Sequence, residues 1–182
     1  MFLVLIFNLF LLSLFSEYSF LESIQAKPLG FGRVDCVKEV KEFTVRGSSM
    51  TDLINQGEKV KILFGFYDCN EIRREDVVAY DYKGNSNLII KSVKGLPGDN
   101  FKINEKDGLL VINDIAVLNN QGESYFLDDQ DKKMLKLYER DYRGKIPPET
   151  YLILGNLASG STDSTRFGLV GRKELVGEVV KF

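Results

Sequence analysis

"VRGSSMTDLINQGEKV" (residues 45–60) places Gly-Ser-Ser-Met after one strand-like run and a Gly and a Glu before the next. Such a serine pair at a strand end is either an ordinary turn or a nucleophile held at a bend. Reading outward, the chain shows further short apolar runs, each bounded by Gly, Asn or Asp. They are "VDCVKEVKEFTV", "EKVKILFGF", "EDVVAYDY", "NLIIKSVKG", "DNFKI", "LLVINDIAVL", "TYLILG" and "LVGEVVKF". Asn113-Asp114 is a candidate turn, and "DQDKKMLKLYERDY" is the best helix candidate beyond the N-terminus. Many short strands with polar turns and little helix predict a mainly β domain with a curved, partly closed antiparallel sheet. The polar stretch 104–145 reads as a small inserted subdomain.

The 182 residues suffice for one domain with a real core, and 44% hydrophobic against 27% charged residues makes it globular. A net charge of −2 offers no field for a polyanion, so nucleic acid is not expected as a partner. There is no His, which excludes a Ser-His-Asp triad, a Cys-His pair and His-ligated zinc. Two cysteines, Cys36 and Cys69, are too few for a Cys-only metal site. They either join in one bridge or stand as separate thiols. Neither a metal nor a cofactor is expected.

Residues 2–15 are apolar except for Asn8 and Ser13. As a helix that run reaches roughly 21 Å, short of the ~30 Å hydrocarbon core. It is either the core of a signal peptide or a short membrane anchor. No basic residue precedes it, and Ile24 fits poorly two positions before Ala26, so residues 1–26 are read as an uncleaved membrane helix. The nearest cations, Lys27, Arg33 and Lys38, lie downstream, which does not favour export of the C-terminal domain. "KPLGFGR" (27–33) is a linker, and 34–182 form the β domain.

Three stretches carry chemistry in common: "GSSM" (47–50), "IIKSVKGLPGD" (89–99) and "LGNLASGSTDSTRFG" (154–168). A serine hydroxyl needs a base to take its proton. Without His, a neutral Lys can be that base if burial lowers its pKa. Lys91 follows Leu88, Ile89 and Ile90, which makes burial of its stem plausible. Ser161 and Ser164 supply hydroxyls that could orient the amine, and Asp163 could pin the loop.

In order and spacing these stretches resemble the bacterial type I signal peptidases. "VRGSSM" resembles the nucleophile box of that family and "NQGEKVKI" the strand after it. "REDVVAY" resembles the next strand and "IIKSVKGLPGD" the Lys box. "IPPETYLILGNLASGSTDSTRFGLV" resembles the last box and "ELVGEVV" the closing strand. The resemblance spans most of 43–181 and implies the signal peptidase/LexA type of sheet. It also implies roles. Ser49, before Met50, is the nucleophile and Lys91 the general base. Ser161 orients Lys91, Asp163 braces the loop, and the Ser49 N–H helps form the oxyanion hole. Where some members carry a second donor, this chain has Gly47.

The implied activity is a membrane-anchored serine endopeptidase that removes signal peptides from exported precursor proteins. Its β domain would lie on the extracytoplasmic side of the cell membrane, in contact with lipid. Departures are visible. Asp52 stands for the usual Pro and Ser92 for the usual Arg after the Lys. Asn156, Leu157 and Ala158 replace Asp-Asn-Arg after Gly155, and Arg166 falls one place late after Asp163. Lys94 and Arg166 are the candidates to pair with Asp163 instead. Three rivals share these features: a self-cleaving LexA-type repressor, a specialised pilin or conjugation peptidase, and a non-catalytic peptide-binding descendant. The repressors would carry a helical DNA-binding domain where this chain has an apolar segment.

Overall fold

The computed structural model describes residues 34–82, 88–158 and 160–181. The expected anchor (1–26) and linker (27–33) lie outside the described residues. Among the described residues, no helix is long and apolar enough to cross a membrane.

The described residues begin with a 3-10 turn, Val34–Cys36, and then run into β1 (Glu39–Thr44) and β2 (Lys59–Phe64). β3 (Val77–Tyr80), β4 (Ile89–Gly95), β8 (Thr150–Leu154), β9 (Val170–Gly171) and β10 (Leu175–Lys181) complete a seven-stranded sheet. Its order is β1-β2-β10-β3-β4-β8-β9, and every neighbouring pair is antiparallel. Alternation decides which face is buried. On β10, Leu175, Gly177 and Val179 are buried and Val176, Glu178 and Val180 less so. The second half of β4 is buried on every residue, as for a strand covered on both faces.

The cover comes from the middle of the chain. β5 (Phe101–Ile103), β6 (Leu110–Ile112) and β7 (Ile115–Ala116) form a second, three-stranded sheet. Asn113 and Asp114, both with positive φ (50° and 62°), make the two-residue turn between β6 and β7. That is the geometry a right-twisted hairpin needs. Helix α1 (Asp131–Asp141) comes next, its first amides at Gln130 and Asp131 capped by Asp128 Oδ1 at 2.8 Å. Leu135 on α1 packs with Phe101, Leu110, Ile146 and Leu152 in one core cluster. A second cluster, of Val45, Met50, Ile54, Val60, Ile62, Ala79 and Val179, lies beneath the Gly-Ser-Ser-Met turn.

The sheet is open rather than partly closed. β1 and β9 are its edges, and β1 is exposed along its whole length. It is nevertheless curved. Register shifts between Leu175 and Gly177 and between Val93 and Gly95 bend it. As a result β1 and β4 line one cavity although three strands separate them. Curvature without an outer partner for β1 among the described residues leaves a groove instead of a barrel.

Cys36 and Cys69 are joined in a disulfide, closing a loop with a sequence separation of 33. Loop-closure entropy puts its contribution at about 4 kcal/mol. Urea unfolding of Cys36→Ser/Cys69→Ser should show a loss of that size, and added reductant should destabilise the wild type but not the variant. Equal stability of the two proteins under oxidising conditions would contradict it.

Candidate active site

The turn after β1 is fixed from several sides. Val45 and Met50 are buried, Met50 at 2% exposure, so the chain is anchored in the core on both sides of Ser49. Gly47 sits at φ 86°, a conformation that only glycine adopts without strain. The Ser48 carbonyl accepts from the Thr51 N–H (3.0 Å) and hydroxyl (2.7 Å). The Ser49 carbonyl accepts from the N–H groups of Asn156 (2.7 Å) and Leu157 (3.3 Å). The Ser49 N–H has no hydrogen-bond partner among the described residues.

Asp52 stands at φ 68°, and its N–H donates to Asn55 Oδ1 at 3.2 Å. Proline demands φ near −65° and has no N–H, so this turn has no place for the proline expected by resemblance. Asp52→Pro should lose about 3 kcal/mol in chemical unfolding. Unchanged stability would mean that the turn relaxes freely.

Lys91 lies on β4 opposite Val78 and is 2% exposed. Its Nζ donates to Ser49 Oγ at 2.8 Å and to the Ile90 carbonyl at 2.9 Å. Burial lowers its pKa from 10.5 to about 8, and the Asp163 carboxylate opposes the shift. At pH 7 about a tenth of such amines are neutral, against less than about a thousandth for an ordinary lysine.

Two cavities meet at this pair. One, of about 610 Å³, runs between β1 and the start of β4 and is lined by Phe43, Val45, Ile62, Leu88 and Ile90. A smaller one, of about 350 Å³, is lined by Ser49, Lys91, Leu157, Gly160, Ser161 and Thr162.

The last box is held by Asp163, which is 3% exposed. Its Oδ1 accepts from the Thr165 N–H (3.0 Å) and hydroxyl (2.8 Å), capping the short helix α2 (Ser164–Phe167). Its Oδ2 accepts from the Gly155 N–H at 2.9 Å and from the Ser161 hydroxyl. The Ser161 hydroxyl thus turns to Asp163, and Lys91 Nζ bonds only to Ser49 and Ile90 among the described residues. The Ser164 hydroxyl accepts from the buried Ile153 N–H at 2.9 Å. Neither serine hydrogen-bonds to the amine. A Cβ on Gly155 would stand 2.7 Å from the Ser49 carbonyl and against the Ser161 hydroxyl, so the two loops meet where no side chain fits.

The cations expected to pair with Asp163 go elsewhere. Lys94 Nζ binds Glu75 (2.6 Å) and the Leu118 carbonyl (2.8 Å). Arg166 Nε stands 2.7 Å from Asp131 Oδ1 on α1, off the line of a well-formed hydrogen bond. Hydroxyls and amides take the place of guanidinium around Asp163.

Sequence reasoning did not assign a site role to Asn156, which is 2% exposed. Its Nδ2 donates to the Thr51 carbonyl (2.7 Å), Asn120 Oδ1 (2.6 Å) and Gln121 Oε1 (3.1 Å), and its Oδ1 accepts from the Asn120 N–H at 3.0 Å. It thereby ties the serine turn to the loop after β7. An aspartate here could not donate, and three acceptors would face it. Among the described residues, no group of three His, Cys, Asp or Glu is placed to hold a metal ion.

Residues 33–182 match the family described as signal peptidase, peptidase S26. Signal peptidase IB of Staphylococcus aureus (strain COL) is 30% identical over 149 residues, 77% of this chain and 75% of that protein. Signal peptidase I of Bacillus caldolyticus is 29% identical over 140 residues, 75% of each chain. The crystal structure of a signal peptidase I from Enterococcus faecalis V583 aligns with a TM-score of 0.44 at 24% identity, covering 60% of this chain and 97% of that one. By the extent of the family match and the identity to its curated relatives, the chain belongs to the signal peptidase, peptidase S26, family.

Proposed function

We propose that the protein is a serine endopeptidase that removes signal peptides from exported precursor proteins, with Ser49 as nucleophile and Lys91 as general base. The observation that carries the reading is the 2.8 Å contact between a serine hydroxyl and a lysine amine that is 2% exposed. In the reacting form the amine is neutral, and the bond reverses: the Ser49 hydroxyl donates to Nζ. Oγ attacks the scissile carbonyl as Nζ takes the proton. The Ser49 N–H, without a partner among the described residues, is left to stabilise the developing oxyanion. Gly47 offers no side-chain donor. The ammonium then protonates the leaving amine, giving an acyl-enzyme. Lys91, neutral again, takes a proton from water as the water oxygen attacks the ester carbon; the C–Oγ bond then breaks, the acid leaves, and the ammonium returns the proton to Ser49 Oγ.

The open groove between β1 and β4 suits a precursor lying extended along a strand edge. Small side chains next to the cut are expected from the family resemblance. Asp163 limits how far burial depresses the Lys91 pKa, and Ser161 acts through Asp163. The Cys36–Cys69 bond supports an oxidising, extracytoplasmic setting for the domain. On this reading residues 1–26 anchor the chain in the cell membrane in contact with lipid, and 27–33 link the anchor to the catalytic domain.

The test is cleavage of a signal-bearing precursor by the full chain in detergent. kcat/KM should rise as pH increases through about 8, because the base works only unprotonated and its pKa lies there. Ser49→Ala and Lys91→Met should both abolish cutting. Cutting that survives Lys91→Met would defeat the mechanism. Peptide binding by a wild type that never cuts would identify a binding module instead.

A further inference from the structure

Gly160, Ser161 and Thr162 wall the smaller cavity beside Lys91, and the two sides of the loop they begin, which runs to Arg166, are held differently. At the base, Asp163 bonds to Gly155 and Thr165, deep in the core. The outer side meets α1. Asp131, the first residue of α1, is 7% exposed and faces Arg166, and Gly160 packs near its Oδ2. At the other end of α1, the Tyr138 ring closes over Gly168 so tightly that a Cβ there would clash. A helix from the middle of the chain therefore grips the loop of the last box at both of its ends.

We propose that Asp131 and Arg166 are a positioning pair for the cleavage reaction, fixing the loop 160–166 so that Gly160, Ser161 and Thr162 stay beside Lys91 and the amine stays out of water. The inference rests on the Ser49–Lys91 reading. Its motive is specific. The arginine that falls one place late in the sequence is not idle; it reaches a buried carboxylate supplied by the inserted helix. Asp131 costs free energy where it stands, because burial raises its pKa. Arg166 offsets that cost, while Asp128 and Asp163 add to it. An aspartate at the start of a helix could be satisfied in solvent. This one is buried against the loop instead.

Burial is the larger influence on Lys91, and Asp163 is the charge that faces it. Releasing the outer wall hydrates the amine and returns its pKa toward the ordinary lysine value. In Asp131→Asn the rising limb of the rate–pH profile should move up by about one unit. That is about a tenfold loss of kcat/KM at pH 7, recovered near pH 10, with KM little changed. Arg166→Gln should move the limb equally, and the double variant no further than either single one. Arg166→Lys, which keeps the charge, should restore most of the wild-type profile. Asp129→Asn, at a residue whose side chain is 93% exposed, should leave the profile alone.

A limb that stays at its wild-type position in both Asp131→Asn and Arg166→Gln, with only the melting temperature lowered, overturns the proposal. So does a limb that moves to lower pH. Because the Arg166 side chain is 39% exposed, Arg166→Gln folds even where Asp131→Asn does not. Failure of the underlying reading is a different result: Lys91→Met would still cut. If Lys91→Met is inert while the limb stays put in the pair variants, the dyad stands and the positioning role falls.

Discussion

Replacing Lys91 with Met will leave the chain inactive and, at neutral pH, more stable. On the proposed mechanism the loss of activity comes from removing the general base, for which factors of about 10²–10⁴ are typical. It should be nearer the upper end here, since no His exists to take over. The gain in stability comes from the pKa. In the folded chain the amine titrates at about 8, and its ordinary value is 10.5. Between these values the unfolded chain binds more protons than the folded one, so wild-type stability rises with pH across that window. Below pH 8 the buried cation costs about 3 kcal/mol. Met fills similar space without charge, and forfeits about 1 kcal/mol of hydrogen bonding to the Ile90 carbonyl. The net expectation is a gain of about 2 kcal/mol at pH 7, vanishing by pH 10.5. Urea unfolding at pH 7 and at pH 10.5 checks it. An equal or lower stability of Lys91→Met at pH 7 would mean that the amine is solvated in the folded state.

Asp163→Ala will be the most destabilising single change near the site, at about 4 kcal/mol. The carboxylate accepts four hydrogen bonds, from the Gly155 and Thr165 amides and the Ser161 and Thr165 hydroxyls. The two buried amides then have no acceptor, at about 1–3 kcal/mol each. The Thr165 amide bond among these is also the cap of α2. For a domain of this size the total loss lowers the melting temperature by about 10 °C. Asp163→Asn separates structure from charge. It keeps the shape and loses fewer bonds, but it removes the one charge that holds the Lys91 pKa up. Its rate–pH limb should move to lower pH, opposite in sign to Asp131→Asn. A melting temperature unchanged by Asp163→Ala would mean that water replaces the carboxylate.

Much of the fold is legible in the sequence because it is local. β2 and β10 show their alternation directly, with Val60 and Ile62, then Leu175 and Val179, facing the core. Pro97-Gly98-Asp99 encodes its turn, with Gly98 at φ 88° and Asp99 Oδ2 accepting from the Leu96 N–H at 2.6 Å. Ser49 and Lys91 stand out because a chain without His leaves few bases, and the two do meet. The hidden features depend on distant partners. Asn156 reads as one more polar loop residue, yet it donates to Thr51, 105 positions away. The α2 helix spans four residues, too short for periodicity; its one signal is the capping Asp163. The partner of Arg166 lies on a helix whose approach to the loop no spacing rule fixes. Closure of the sheet is not legible at all, because curvature and ladder completion are separate properties and bulges supply only the first.

The bond between Cys36 and Cys69 carries a consequence for anyone making the protein. A recombinant host that keeps thiols reduced yields this polypeptide with one fastening undone, short of rigidity beside the first turn of the domain. Material from such a host and material secreted by an oxidising one will differ in shelf life and in resistance to added proteases, though their sequences are identical.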